Sequence, residues 1–126
     1  MRPLWEGVFL VIGFHNVNSE PMTTGKPLGE LQQLLMLALL RLKDDAYGAE
    51  IRRELAEVAG RRLSISAIYV TLVRLEEQGL VISHDGEVPA TGGRPRRCFE
   101  ITDRGLEALK ATRAAADKMW SGVKIR

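Results

Sequence analysis

The stretch from Ser64 to Gly105, SISAIYVTLVRLEEQGLVISHDGEVPATGGRPRRCFEITDRG, places an amphipathic helix directly before a β-hairpin. Apolar residues recur at three- and four-residue steps in its first part, and glycine-rich turns separate two β-prone runs in its second part. The hairpin tip, GGRPRR over residues 92–97, carries three arginines. Such a pair of elements is typical of a winged helix, in which the helix fits a DNA major groove and the arginines suit phosphates or a minor groove.

Length and composition predict one ordinary globular domain with tails. The chain has 126 residues, 45% of them hydrophobic and 27% charged, with a formal net charge of +2. That charge is too small to indicate nucleic acid by itself, so the clustering of arginines in the hairpin matters more. One cysteine excludes an intrachain disulfide and leads us to expect a cytoplasmic protein. The apolar run over residues 4–14 is interrupted by Glu6 and is too short to span a bilayer, so no membrane association is expected.

The chain divides into three predicted parts. Residues 1–26 end in a polar stretch and form an N-terminal extension or linker. They are either a true arm, packing a short strand on the domain, or lie upstream of a natural start at Met22. Residues 27–102 form the predicted winged helix-turn-helix domain, and residues 103–126 a C-terminal dimerisation helix. The fold class is therefore mainly α, with a small β-hairpin wing.

Local signals set the predicted boundaries of the first two helices. Leucine spacing predicts a first helix over 28–42, whose broad apolar surface indicates contact with a partner subunit as well as with its own domain. The carboxylates of Asp44 and Asp45 can accept hydrogen bonds from the free backbone amides at the start of a second helix. That helix ends at about Ala59, where Gly60 follows as the closing residue. Its predicted core positions are Ile51, Leu55 and Val58.

The third and fourth helices flank the hairpin. Ser64 is the predicted N-cap of the third, whose inward stripe consists of Ile65, Ile68, Leu72 and Leu75. Residues 80–82 and 98–101 are the β-prone runs, with Cys98 packing inward. Thr102 caps a last helix with an apolar face of near-heptad spacing. The predicted dimer-interface or effector-cavity residues on that face are Leu109, Ala116, Met119, Trp120 and Val123.

Small and polar side chains at the start of the third helix are candidates for DNA contact, because large ones would hold the backbone away from the base edges. The predicted DNA-binding residues are Ser64, Ser66, Ala67, Tyr69, Val70 and Arg74 on the helix and Arg94, Arg96 and Arg97 on the wing. Alternatives stay open: Ser64 as a cap only, Tyr69 as a packing residue against the second helix, and the wing as a solvated tip. Strand alternation separates Arg96 from Arg97, so at most one of them shares a face with Arg94.

Other classes of function have weaker support. His84, Asp85 and Cys98 approach one another on the hairpin, but they fall short of a spaced zinc ligand set, and no cofactor or metal is expected. No catalytic constellation is present. A winged-helix protein-interaction module using Val70 and Val73 is the main alternative. A carrier or enzyme built on a dimer cavity would have only Arg113 and Asp117 as nearby charged groups.

Four segments in order and spacing resemble the PadR family of transcriptional regulators: residues 28–40, 47–51, 68–80 and 93–102. The resemblance implies a winged helix-turn-helix repressor, dimeric through its C-terminal helix with help from the first, and responsive to a small aromatic or cationic effector held between subunits. It places Tyr69 at the major groove and Arg94 to Arg97 in the wing. Cys98-Phe99 stands where the family often has two tyrosines, so contacts that need those hydroxyls are not carried over. We therefore expect a homodimer that binds double-stranded DNA at a pseudo-palindromic operator.

Overall fold

The order of elements is helix, helix, helix, hairpin, helix. The structure is a computed structural model that describes residues 28–125; the predicted extension, residues 1–26, lies outside them. The elements are α1 (Glu30–Leu42), a 3-10 turn (Lys43–Asp45), α2 (Gly48–Ala59), α3 (Ile65–Glu77), β1 (Val81–Asp85), β2 (Arg97–Ile101) and α4 (Asp103–Trp120). The predicted fold class, mainly helical with a two-stranded wing, is confirmed.

The core lies where α1 packs against α2, α3 and β2. Its largest fully buried side chains come from every one of these elements, and β1 adds Val81. They are Phe99, Leu35, Met36, Ile51, Ile68, Leu72, Leu75, Val73 and Val81. Burial of these apolar surfaces is the main stabilising term, and it fixes α3 and the hairpin on one common support.

β1 and β2 pair antiparallel from Val81 opposite Ile101 to Asp85 opposite Arg97. The other edge of β2 is also occupied, because the Phe99 amide donates to the Ala46 carbonyl at 3.0 Å and Tyr47 bridges Cys98. The chain segment before α2 thus acts as a short third strand. It braces the root of the wing.

Side-chain caps begin α3 and α4, as the sequence predicts. The Ser64 hydroxyl accepts from the Ala67 amide at 3.1 Å. The Thr102 hydroxyl accepts from the Gly105 amide at 3.0 Å and donates to the Gly79 carbonyl at 2.8 Å, which ties the end of α3 to the start of α4. Gly60 closes α2 with φ 66°, the left-handed conformation expected of a C-terminal glycine.

Two close contacts fix α4 on the domain. A methyl group built on Gly105 would overlap the Leu80 carbonyl oxygen and lie 2.8 Å from the Ile101 Cγ1 atom, so only glycine fits. About two turns later, the buried Thr112 hydroxyl accepts from the Leu28 amide at 3.1 Å. The first half of α4 is therefore part of the domain.

Several side chains lie elsewhere than predicted. Val58 is 57% exposed, because α2 buries Gly48, Ile51 and Leu55 and its last turn extends past the core. Ile65, in the first turn of α3, is 36% exposed. Val73, by contrast, is fully buried, because β1 packs on α3 and widens its buried face.

Two predicted boundaries are also wrong. Asp44 and Asp45 belong to the 3-10 turn rather than capping α2, whose N-cap position is Tyr47, without a side-chain cap bond. α4 ends at Trp120, and the turn at Gly122, with φ 78°, puts Val123 beyond the helix. Within residues 28–125, no helix combines the length and the apolar character needed to cross a membrane.

Candidate nucleic-acid interface

The start of α3 exposes small side chains, as the sequence predicts. Ser64 and Ser66 are exposed and Ala67 is half-buried. Ser66, Val70 and Arg74 follow one another at four-residue steps, so they share one face of the helix, and Arg74 is exposed at its far end. The Ser64 hydroxyl is engaged as a cap, which agrees with the structural alternative for that residue.

Tyr69 occupies the packing position that the sequence left open. Its ring lies 5.9 Å from the Phe99 ring, centroid to centroid, at a tilt of 57°. A methyl group on Gly48 would come within 2.5 Å of the Tyr69 hydroxyl, so glycine at the first residue of α2 leaves room for the phenol. Burial raises the pKa of Tyr69, while the positive charge of Arg97 acts in the opposite direction. Tyr69 therefore joins α3, α2 and β2, and a contact of its hydroxyl with DNA stays a prediction.

The three wing arginines occupy different environments. Arg97 pairs with Asp85 across the hairpin, at 3.4 Å between Nη1 and Oδ1, and its side chain is only 22% exposed. The Arg96 guanidinium lies over the Tyr47 ring, 5.2 Å from its centroid. Arg94 is exposed at the tip, after Gly92 and Gly93, whose φ values of 87° and 103° make the turn. Arg96 and Arg97 thus have different partners, Tyr47 and Asp85.

Tyr47 supports the root of the wing. Its ring lies so close to Gly86 that a methyl group there would come within 2.6 Å of Cε1. The Arg96 guanidinium lies over the same ring. The sequence analysis missed this role. The signal in the sequence was that Tyr47 begins one of the four PadR-like segments, but its partners Gly86 and Arg96 are distant in sequence and gave no local indication of the contact.

The hairpin does not assemble a metal site. His84 and Cys98 are register partners, but Cys98 is buried and its Sγ atom lies 3.6 Å from the Asp44 carbonyl oxygen, to which it donates. Burial is the main cause that raises the pKa of the Cys98 thiol. Across residues 28–125, no three His, Cys, Asp or Glu side chains come together in a way that would hold a metal ion. The inward packing predicted for Cys98 is confirmed.

The predicted interface residues of α4 separate into two groups. Leu109 is 8% exposed and belongs to the core of its own domain, which corrects its assignment to a subunit contact. Ala116 and Val123 are exposed, Met119 is 78% exposed and Trp120 is 61% exposed. The second half of the helix thus presents large apolar side chains that no other residue between 28 and 125 covers.

Comparison with known proteins agrees with this geometry. The model of the transcriptional regulator PadR-like family matches residues 36–111, which is more than half of the chain. The chain belongs to the PadR-like family of transcriptional regulators. This PadR-like chain is 36% identical to transcriptional regulator Rv3488 of Mycobacterium tuberculosis over 76 residues, which cover 60% of the chain and 67% of that protein.

Two solved PadR structures are similar to this PadR-like chain. A PadR family transcriptional regulator from Eggerthella lenta shares 32% identity and a TM-score of 0.58, covering 74% of this chain and 81% of that one. A PadR-like transcription factor from Bacteroides fragilis shares 26% identity and a TM-score of 0.58, covering 71% and 82%. The chain is accordingly a DNA-binding transcription regulator, and its relatives are regulators rather than enzymes. The alternative of a protein-interaction module needed Val70 and Val73 on the surface, but Val73 is buried.

Proposed function

We propose that this chain is a homodimeric repressor that binds a pseudo-palindromic operator and is released by a small-molecule effector. It acts in the cytoplasm, as its single cysteine leads us to expect. Each protomer reads one half-site with the start of α3 in the major groove, while Arg94 contacts the phosphate backbone or the adjacent minor groove.

The observation that carries the proposal is the contact between Tyr69 and Phe99. Because these rings meet at 5.9 Å, the first half of α3 and the wing strand β2 are held side by side. The serines of α3 and the arginines of the wing therefore belong to one reading surface. Two such surfaces related by a twofold axis match two half-sites about one helical turn apart.

The exposed part of α4 supports dimerisation. Trp and Met are enriched in the cores of protein interfaces, and here Met119 and Trp120 are exposed in the described part of a single copy. We place the aromatic or cationic effector beside these two residues, between the subunits. Its binding would change the angle between subunits and misplace the two recognition helices. Trp120 fluorescence during titration with candidate compounds tests this step.

The wing contact is tested by the salt dependence of DNA affinity. Fluorescence anisotropy with the DNA directly upstream of the gene, between 50 and 200 mM salt (roughly the range in which counterion release is measured), gives the slope of log K against log salt. Each lost phosphate contact reduces that slope by about 0.9, so Arg94→Ala in a dimer reduces it by about 1.8. Arg41→Ala, on α1 and paired with Glu54, is the matched control and leaves the slope unchanged.

An unchanged slope for Arg94→Ala would remove the wing tip from the mechanism. Absence of binding to any duplex at low salt would favour the protein-interaction module instead. For α3, Tyr69→Phe is more informative than Tyr69→Ala, because it keeps the ring on Phe99 and removes only the hydroxyl. Loss of discrimination between operator and random DNA in Tyr69→Phe would assign the hydroxyl to base readout. A reporter gene behind the operator distinguishes repression from activation.

A further inference from the structure

A groove of about 690 Å³ lies between the end of α1, the 3-10 turn and the outer face of the hairpin. Its apolar lining includes Leu39, Leu40 and Ile101. Its acidic side chains are Asp44, Asp85, Glu87 and Glu100, of which Asp85 is paired with Arg97, and its basic ones are Lys43 and His84, so carboxylates predominate. The groove therefore suits an occupant that is apolar on one side and positively charged on the other.

The C-terminal segment of the chain has that chemistry. After Trp120 the chain turns at Gly122, with φ 78°, and continues through Val123, Lys124 and Ile125. All three of these residues are exposed. The segment is thus apolar with a central amine, and it complements the apolar and acidic lining of the groove.

We propose that residues 120–125 of one protomer occupy the groove of a second copy, with Lys124 facing Glu100 of the partner subunit. This inference rests on the proposed homodimer. It adds a function for the C-terminal segment: the tail of one subunit contacts the wing of the other, so that subunit association and wing position are coupled.

The tail cannot reach the groove of its own chain. Glu100 and Ile101 directly precede α4, and the tail follows its other end. An 18-residue helix is about 27 Å long, whereas the segment from Ser121 to Ile125 spans at most about 18 Å when fully extended. The complementary pair of surfaces therefore belongs to two different copies.

A twofold axis brings these surfaces together. In an antiparallel pair of α4 helices centred near Arg113, Trp120 of one chain lies level with Leu106 of the partner subunit, because each is seven positions from the centre, and the tail after Trp120 continues toward the start of the partner's α4. The side of α4 that buries Leu109 and Thr112 in its own domain continues as Ala116 and Trp120 at four-residue steps. Its exposed half therefore runs toward the partner's groove.

Reversal of charges tests the proposed pair. Dimer dissociation constants are measured by sedimentation for the wild type, Lys124→Glu, Glu100→Lys and the double variant. Because symmetry places the pair twice in a dimer, each single reversal weakens the dimer about tenfold, and the double variant returns to within about twofold of the wild type. Lys124→Glu combined with Glu57→Lys, a change on exposed α2 surface, has the same net charge and stays weak.

A wild-type dimer whose single reversals do not weaken it, or whose double variant is no tighter than the singles, would overturn the inference while leaving the homodimer intact. A monomeric wild type would overturn both. As a second readout, Glu100→Cys and Lys124→Cys chains, each with Cys98→Ala, are mixed and oxidised. A disulfide-linked pair that forms only in the mixture supports the proposal, and its absence from a mixture of proven dimers contradicts it.

Discussion

Replacing Gly105 by alanine tests how tightly α4 is held on the domain. The added methyl group would overlap the Leu80 carbonyl oxygen and lie 3.0 Å from its carbon, whereas carbon atoms in favourable contact are about 3.5 to 4.0 Å apart. The obstacle is backbone, so no rotamer change relieves it. The Leu80 carbonyl also accepts from the Thr102 amide at 3.0 Å, and moving it away disturbs the cap of α4.

Three effects set the size of the change. Alanine in a helix is favoured over glycine by about 1 kcal/mol. Overpacking costs about 1 to 3 kcal/mol, and weakening the Leu80–Thr102 hydrogen bond costs about 1 kcal/mol. We expect Gly105→Ala to lower the free energy of unfolding by about 2 kcal/mol, which corresponds to a drop in Tm of about 8 °C.

Urea and thermal unfolding followed by circular dichroism, at one fixed protein concentration, measure this change. Ala111→Gly, at an exposed position of the same helix, is the matched control, because it reports the helix preference alone. That control is expected to cost about 1 kcal/mol. A Gly105→Ala protein that is as stable as the wild type, or more stable, would refute the proposed close approach of α4 to Leu80.

Three smaller changes test the caps and the buried phenol. Ser64→Ala removes the N-cap of α3 and costs about 1 kcal/mol in urea unfolding, whereas the exposed Ser66→Ala stays within about 0.5 kcal/mol of the wild type. Gly60→Ala costs about 1 kcal/mol because its φ of 66° is left-handed, and an unchanged midpoint would contradict that geometry. Burial raises the pKa of Tyr69, so its neutral hydroxyl is favoured in the folded state. The resulting stabilisation of the fold is complete below pH about 10 and is lost as the pH rises through the folded-state pKa. Tyr69→Phe should therefore flatten the decline of stability that is measured as the pH rises above about 10, the ordinary value for tyrosine, and an identical decline would assign it to other groups.

Elements set by local chemistry could be predicted from the sequence. Ser64, Thr102 and Gly60 each act within one helical turn, so their residue types are sufficient to place three helix ends. The hairpin follows from two short β-prone runs and the glycines between them. The exposed tip of α3 and the arginine-bearing wing follow in turn, because they are parts of these elements.

Features set by tertiary packing could not be predicted. Val58 and Ile65 continue the apolar stripes of their helices beyond the region that other elements cover. Helical spacing alone does not show where that coverage stops. Val73 is buried because β1 packs on α3, which depends on the path of the chain after Gly79. Packing of Tyr69 against the second helix was one of two alternatives that the sequence left open, but its partner Gly48 lies 21 positions away, so no local pattern identifies that residue.

The aromatic contact between Tyr69 and Phe99 has a mechanical consequence. Since α3 and the wing strand share this contact, a tilt of one displaces the other. The two DNA-facing elements of each protomer therefore move as one rigid unit. In the proposed mechanism, an effector bound between the subunits would change the angle between two such units and leave the shape of each unaltered. Release from DNA would then be concerted, with α3 and the wing of a protomer leaving their grooves in a single movement.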